Sequence, residues 1–256
     1  MKPKSEKIDG LVKQALISQV ELGTREVLVS RRRKSAPVAV MSSASEPLSA
    51  LASAPTVAGL ISTPVLDLAA AEYASIDEHR AAICNCVLCP LGKTRNKFVY
   101  GVGNPNAKLL FIGEAPGADE DRLGEPFVGR AGQLLDKILA AINFTRQDIY
   151  IANILKCRPP NNRDPLPDEV QKCRPYLNAQ IRLIKPRLIC LLGRIASQAL
   201  FETTTPLGKM RGQWHEYAGV PVMVTYHPAA LLRFPGYKKD TWEDMKALRA
   251  RYDALE

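Results

Sequence analysis

The run Lys108-Leu109-Leu110-Phe111-Ile112 constrains the fold more than any other stretch of this chain. It is short, apolar and bounded by turn formers, so it reads as a buried strand. A long loop rich in glycine, proline and acid follows, from Gly113-Glu114-Ala115-Pro116-Gly117 to Phe127-Val128-Gly129. Leu134, Leu135, Ile138, Leu139 and Ile142 then recur at helical spacing. Gly113, Gly117 and Gly129 let the loop backbone come close to a ligand. Phe127, directly after Pro126, is a ring that a merely solvated loop would not carry.

The same unit recurs. Ile149–Ile154, Leu188–Gly193 and Val220–Thr225 are further apolar runs of strand length. Helical patterns occupy Ile76–Ile83, Pro167–Ile184, a stretch ending at Phe201, and Trp242 to about Tyr252. Alternation of strands and helices predicts a mostly parallel sheet covered on both faces. In such a sheet ligands bind outside the carboxyl ends of the strands. Three loops reach that edge: the glycine loop, Asn153 to Arg163, and His227 to Arg233. Glu114, Phe127, Asn153 and His227 can therefore converge. An aromatic plate, a side-chain amide and an imidazole suit a planar heterocycle that carries donors and acceptors. A lone Asn or His at a strand end is usually structural; convergence of several favours a site.

Of the 256 residues 46% are hydrophobic, ample for a core. No run approaches the roughly 20 apolar residues that span a bilayer. Met1 to Gly10 mix lysine with Glu6 and Asp9 and lack an apolar signal core. The expectation is a cytoplasmic, nucleoid-associated protein with no membrane partner, in a reducing compartment where six cysteines point to metal or catalysis rather than disulfides. Cys86 and Cys89 form a C-x2-C pair, with Cys157 and Cys173 following. Four thiolates of this kind suit zinc or an iron–sulfur cluster, and spacing alone does not choose. Cys190 sits in an apolar strand and reads as core. The net charge is +9, of which the residues after Ile76 carry most, which suits a polyanionic partner.

Residues 1–72 read as an extension. Leu11, Val12, Leu16, Ile17, Val20 and Leu22 have helix-like spacing, Arg31-Arg32-Arg33-Lys34 follows, and a Ser/Ala/Pro-rich tract without aromatics reads as a flexible linker. A domain spanning 73–256 begins where the composition changes.

Gly113-Glu114-Ala115-Pro116-Gly117, with Pro126-Phe127-Val128-Gly129 and Ala131-Gly132-Gln133-Leu134-Leu135, resembles the first motif of the family 4 uracil-DNA glycosylases. Asn153-Ile154-Leu155-Lys156-Cys157-Arg158-Pro159-Pro160 and Tyr226-His227-Pro228-Ala229-Ala230-Leu231-Leu232-Arg233 resemble the other two. The resemblance runs from about Cys84 to Tyr252. It implies a three-layer α/β/α sandwich with a four-stranded, mostly parallel sheet. It also implies a monomeric enzyme that excises uracil from single- and double-stranded DNA, with a [4Fe-4S] cluster on Cys86, Cys89, Cys157 and Cys173. Carried over by position, Phe127 stacks on flipped uracil, Asn153 reads its edge, His227 faces O2, and Glu114 is the motif carboxylate. Gly113, Ala115 and Gly117 line the base. Leu231 lies on the loop that probes the duplex, and Arg158, Arg163 and Arg233 contact phosphates.

Two departures stand out. The best-known uracil glycosylases have an aspartate where this chain has Ala115, so the carboxylate chemistry either moves to Glu114 or is weaker. Relatives that trap uracil covalently carry a histidine after the second motif. Pro159-Pro160-Asn161-Asn162-Arg163-Asp164 has none, which argues against a covalent intermediate. The competing reading is a non-catalytic iron–sulfur protein that binds nucleic acid on the same fold. The intact Glu114, Asn153 and His227 set argues against it.

Overall fold

The computed structural model describes residues 73–255. The expected N-terminal helix, the basic tetrad and the linker lie outside the described residues. Six strands form one sheet: β1 (Val102–Gly103), β2 (Leu109–Gly113), β3 (Tyr150–Asn153), β4 (Leu188–Leu192), β5 (Trp214–Tyr217) and β6 (Val220–Thr225), in the order β1-β3-β2-β4-β6-β5. The helices are α1 (Ile76–Ile83), α2 (Leu91–Thr94), α3 (Ala118–Leu123), α4 (Arg130–Ala141), α5 (Pro167–Ile184), α6 (Arg194–Phe201), α7 (Leu207–Met210), α8 (Pro228–Arg233) and α9 (Tyr237–Asp253).

The four central strands are the predicted apolar runs, and β3-β2, β2-β4 and β4-β6 are parallel. Every residue of β2, β3 and β4 is buried, as strands covered on both faces must be. Alternate residues feed two cores. Leu110, Ile112, Ile189, Leu191, Val222 and Val224 face the layer that includes Leu177, Ile181 and Leu200. Leu109, Phe111, Ile151, Cys190 and Met223 face the layer of Leu135, Leu139, Met245 and Leu248. Cys190 is core, fully buried in β4.

Four strands become six because both edges are antiparallel additions. β1 has only two residues, too few for an apolar pattern. β5 is Trp-His-Glu-Tyr, half exposed, and Ala218 and Gly219, both at positive φ, turn it back onto β6. Edge strands of this kind look like loop in composition.

The third predicted loop is largely a helix. Pro228 occupies the first turn of α8, and the His227 ring caps it by accepting the Ala229 N–H at 3.1 Å. The last helix begins at Tyr237, one turn before the expected Trp242, because Lys238 and Lys239 hide its start from an apolar pattern.

Candidate active site and cysteine recess

The carboxyl ends of β2, β3, β4 and β6 surround a cavity of about 500 Å³. Its lining includes Glu114, Ala115, Phe127, Asn153, His227 and Arg233, with Gly117 and Arg163 as well. Eight of the expected site residues are thus brought together. Gly113 acts from behind the wall. Its register partner on β3 is Asn153, and a Cβ at Gly113 would lie 2.4 Å from Asn153 Oδ1 and 2.6 Å from the Phe127 ring. Only glycine lets both groups close on the strand end. Gly193, at φ 93°, does the same for His227, whose Cβ would lie 2.8 Å from an added Cβ.

Phe127 is held in place against its own backbone preference. Its φ is 55°, a left-handed conformation that costs a non-glycine residue on the order of 1–3 kcal/mol. The surroundings enforce it. Arg146 donates to the carbonyls of Pro126 and Phe127 and pairs with Asp136 at 2.7 Å. Glu120 accepts the N–H groups of Gly117, Val128 and Gly129 at 2.9–3.0 Å, which fastens both ends of the loop. The Phe127 ring, 5% exposed, lies 5.5 Å from the His227 ring at an interplanar angle of 31°. Glu120 and Arg146 escaped sequence reasoning; the only signal was the capping position of Glu120, three residues after Gly117.

Asn153 is 2% exposed, and its Oδ1 has no hydrogen-bond partner among the described residues. A buried acceptor left open costs about 1–3 kcal/mol. His227 is held neutral: burial, with the positive charge of Arg233, pulls its pKa down to about 4. Because Nδ1 accepts the Ala229 N–H, the ring proton sits on Nε2. Burial, with the negative charge of Asp164, raises the Glu114 pKa to about 7 against the pull of Arg194 and Arg233. The cavity therefore holds a neutral donor and a carboxyl poised near neutrality.

One of the proposed DNA contacts needs correction, and the three arginines differ in their surroundings. Leu231 is 1% exposed, because the single amphipathic turn of α8 points it inward. Leu232 and Phe234 are the apolar side chains that face outward there. Arg163 forms a two-pronged pair with the buried Glu169, at 2.9 and 2.6 Å, which also caps α5 at Leu166, so its guanidinium braces the loop. Arg158 lies outside the cavity and donates to Asn162 Oδ1 at 2.8 Å. Arg233 alone of the three arginines is exposed at the rim.

Cys86, Cys89, Cys157 and Cys173 line one recess together with Leu88, Leu91, Phe98 and Leu155. All six cysteines of the chain are free thiols. Three of the four recess sulfurs accept hydrogen bonds at 3.3 Å: Cys157 from Arg95, Cys86 from the Tyr176 hydroxyl, and Cys173 from the Lys156 N–H. Burial pushes the Cys157 thiol up to about 11 and the Cys173 thiol up to about 12. Donors aimed at sulfur inside an apolar wall suit a thiolate-bound centre. Among the described residues no group of three or more His, Cys, Asp or Glu is arranged to hold a single metal ion. Cys84 is outside the recess.

The sequence pattern of the Uracil DNA glycosylase superfamily matches residues 100–246. The chain is 46% identical over 182 residues to the type-4 uracil-DNA glycosylase of Archaeoglobus fulgidus, covering 68% of this chain and 92% of that protein. It is 43% identical over 150 residues to the type-4 enzyme of Thermotoga maritima, covering 58% and 78%. Identity to the type-5 uracil-DNA glycosylase of Pyrobaculum aerophilum is 32% over 146 residues, covering 50% and 64%.

Proposed function

The chain belongs to the Uracil DNA glycosylase superfamily, in its type-4 group, and we propose that it removes uracil from single- and double-stranded DNA by hydrolysing the N-glycosidic bond. It works as a monofunctional, monomeric repair enzyme on the DNA of the cytoplasmic nucleoid. No helix among the described residues is long and apolar enough to cross a membrane.

The observation that carries this reading is the open Asn153 Oδ1. An amide in that position accepts from uracil N3–H and donates to O4. Cytosine presents the opposite pattern, and a buried site with mispaired polar groups rejects strongly. The base must leave the duplex to reach the cavity, at a cost of a few kcal/mol. Phe127 then takes the face of the ring.

As the glycosidic bond breaks, positive charge grows on the sugar and negative charge on the departing base. The neutral His227, with its proton on Nε2, donates to O2 and stabilises that anion without having to give up a proton. Glu114 in its ionised form orients the attacking water and faces the developing sugar cation. The neighbouring position is Ala115, so the motif itself carries one carboxylate. Arg233 at the rim meets phosphate, which makes affinity salt-dependent.

Cys86, Cys89, Cys157 and Cys173 hold a [4Fe-4S] cluster in this reading. These four residues would hold the cluster, which would tie the Cys86–Cys89 segment to α5 and the Asn153–Cys157 segment and would have a structural role. The donors to three sulfurs and the apolar wall support that assignment.

The test is release of free uracil from a labelled single-stranded oligonucleotide. The parent chain releases uracil, and Asn153→Asp releases it slowly and discriminates less well against cytosine, because a carboxylate cannot donate to O4. Binding of the oligonucleotide by an iron-loaded parent without base release would overturn the reading.

A further inference from the structure

The rim of the cavity carries charges of both signs. Arg233, Arg194 and Asp164 all line it, and all three are exposed. Two more carboxylates belong to the lining. Glu120 is occupied by the N–H groups of Gly117, Val128 and Gly129, and Glu114 is half-buried. Asp164 is therefore the exposed carboxylate at a mouth that is meant to receive a polyanion. A fixed negative charge in that place opposes binding, so its partner matters.

That partner is Arg194, the first residue of α6. Its Nη2 donates to Asp164 Oδ2 at 2.6 Å, and its Nη1 donates to Gln198 Oε1 one turn along the helix at 3.2 Å. Asp164 lies on the segment that leaves β3, and Arg194 on the segment that leaves β4. Those two strands flank β2, which leads into Glu114. The backbone of Asp164 is fixed, because Arg163, itself held by Glu169, donates to the Asp164 carbonyl at 3.0 Å. The two paired side chains stay wet, 49% exposed at Arg194 and 63% at Asp164. An ion pair this exposed adds little stability. A guanidinium fork fits a phosphate as well as a carboxylate, so a phosphodiester can replace Asp164 at small cost.

We propose that Arg194 is a phosphate-binding residue of the site and that Asp164 is its placeholder. In the free protein the carboxylate holds the guanidinium at the rim, and it yields the guanidinium to a phosphate when a strand enters. The rim then grips the strand at two points, Arg233 from α8 and Arg194 from α6. The identity of the strand as DNA rests on the proposed glycosylase activity; the exchange of partners at Arg194 does not.

The probe is a fluorescent single-stranded oligonucleotide with one stable abasic site, which full-length protein binds without chemistry. Its affinity is titrated across a salt series for the parent, Arg194→Gln, Asp164→Asn and the double variant. Arg194→Gln should weaken binding and reduce the slope of log K against log salt by about 0.7–1, the share of one phosphate. Arg194→Lys keeps the charge and should retain the slope. Asp164→Asn should tighten binding several-fold when Arg194 is present and by much less when it is gone. Plain repulsion by Asp164 gives the opposite order, since the carboxylate repels a strand at least as strongly once its partner is removed.

An unchanged slope in Arg194→Gln overturns the contact, as does a slope lost in Arg194→Lys. A gain from Asp164→Asn that is as large without Arg194 as with it overturns the placeholder. Where one of these variants does not fold, alanine at the same position carries the comparison, and failure of both shows a structural pair and overturns the exchange. A parent that binds the probe with these slopes but releases no uracil defeats the glycosylase reading and leaves the phosphate contact standing. A parent that releases uracil while Arg194→Gln leaves the slope unmoved defeats the contact alone.

Discussion

Glu114→Gln tests the carboxylate assignment through two properties that must move in opposite directions. The Glu114 carboxyl is raised from 4.5 to about 7 by burial and by Asp164. Between those two values the folded protein binds more protons than the unfolded chain, so stability falls as pH rises through that window. Above about pH 7 the ionised group costs its full amount. The difference between 4.5 and about 7 sets a ceiling of about 3.4 kcal/mol, and partial exposure reduces it to roughly 1–3 kcal/mol. Glutamine has the same shape and cannot ionise. The variant should therefore be more stable than the parent near pH 8, by a few degrees in Tm at this chain size, and match it near pH 4. Activity should go the other way. If the carboxylate orients water, the single-turnover rate of the parent rises with pH through about 7, with DNA phosphates pushing the midpoint upward. The variant should be slower by about 10²–10⁴-fold, the range for general-base catalysis, and lack the rising limb. Base choice should not change. A variant that keeps the parental rate and the same pH midpoint would refute the role. A variant with no stability gain near pH 8 would refute the burial argument beneath it.

Further outcomes follow from the same geometry. His227→Ala should slow single-turnover cleavage by about 10²–10³-fold, the scale of one preorganised donor, with little loss of DNA affinity by titration; parental cleavage would overturn the site assignment. Cys157→Ser should lower bound iron, whereas Cys190→Ser, fully buried in β4 away from the recess, should leave it unchanged by iron and sulfide analysis. A chain beginning at Tyr73 should keep both iron and uracil release; loss of either would show that residues 1–72 contribute to the domain.

What the sequence made legible follows from where the physics is local. β2, β3, β4 and β6 announced themselves because strands buried on both faces must be apolar runs. Their parallel order then brings Glu114, Asn153 and His227 to one edge, where all three line the cavity. Groups whose role depends on a partner far along the chain were not legible. The pair between Arg163 and Glu169 leaves no sign in the composition nearby. Leu231 looked exposed because the segment was read as a loop, whereas α8 turns it inward and leaves Leu232 and Phe234 outside. Arg146, fastening Phe127 across nearly twenty residues, leaves no periodic trace. Lys156 is the sharpest case. In the sequence it is one basic residue within a basic loop, which suggests solvent or phosphate. In the fold it is fully buried, bonded to the carbonyl of Asn153, and placed beside two of the four cysteines. The cavity wall at Asn153 and the cysteine recess at Cys157, which the sequence presents as separate, therefore share a single interior segment.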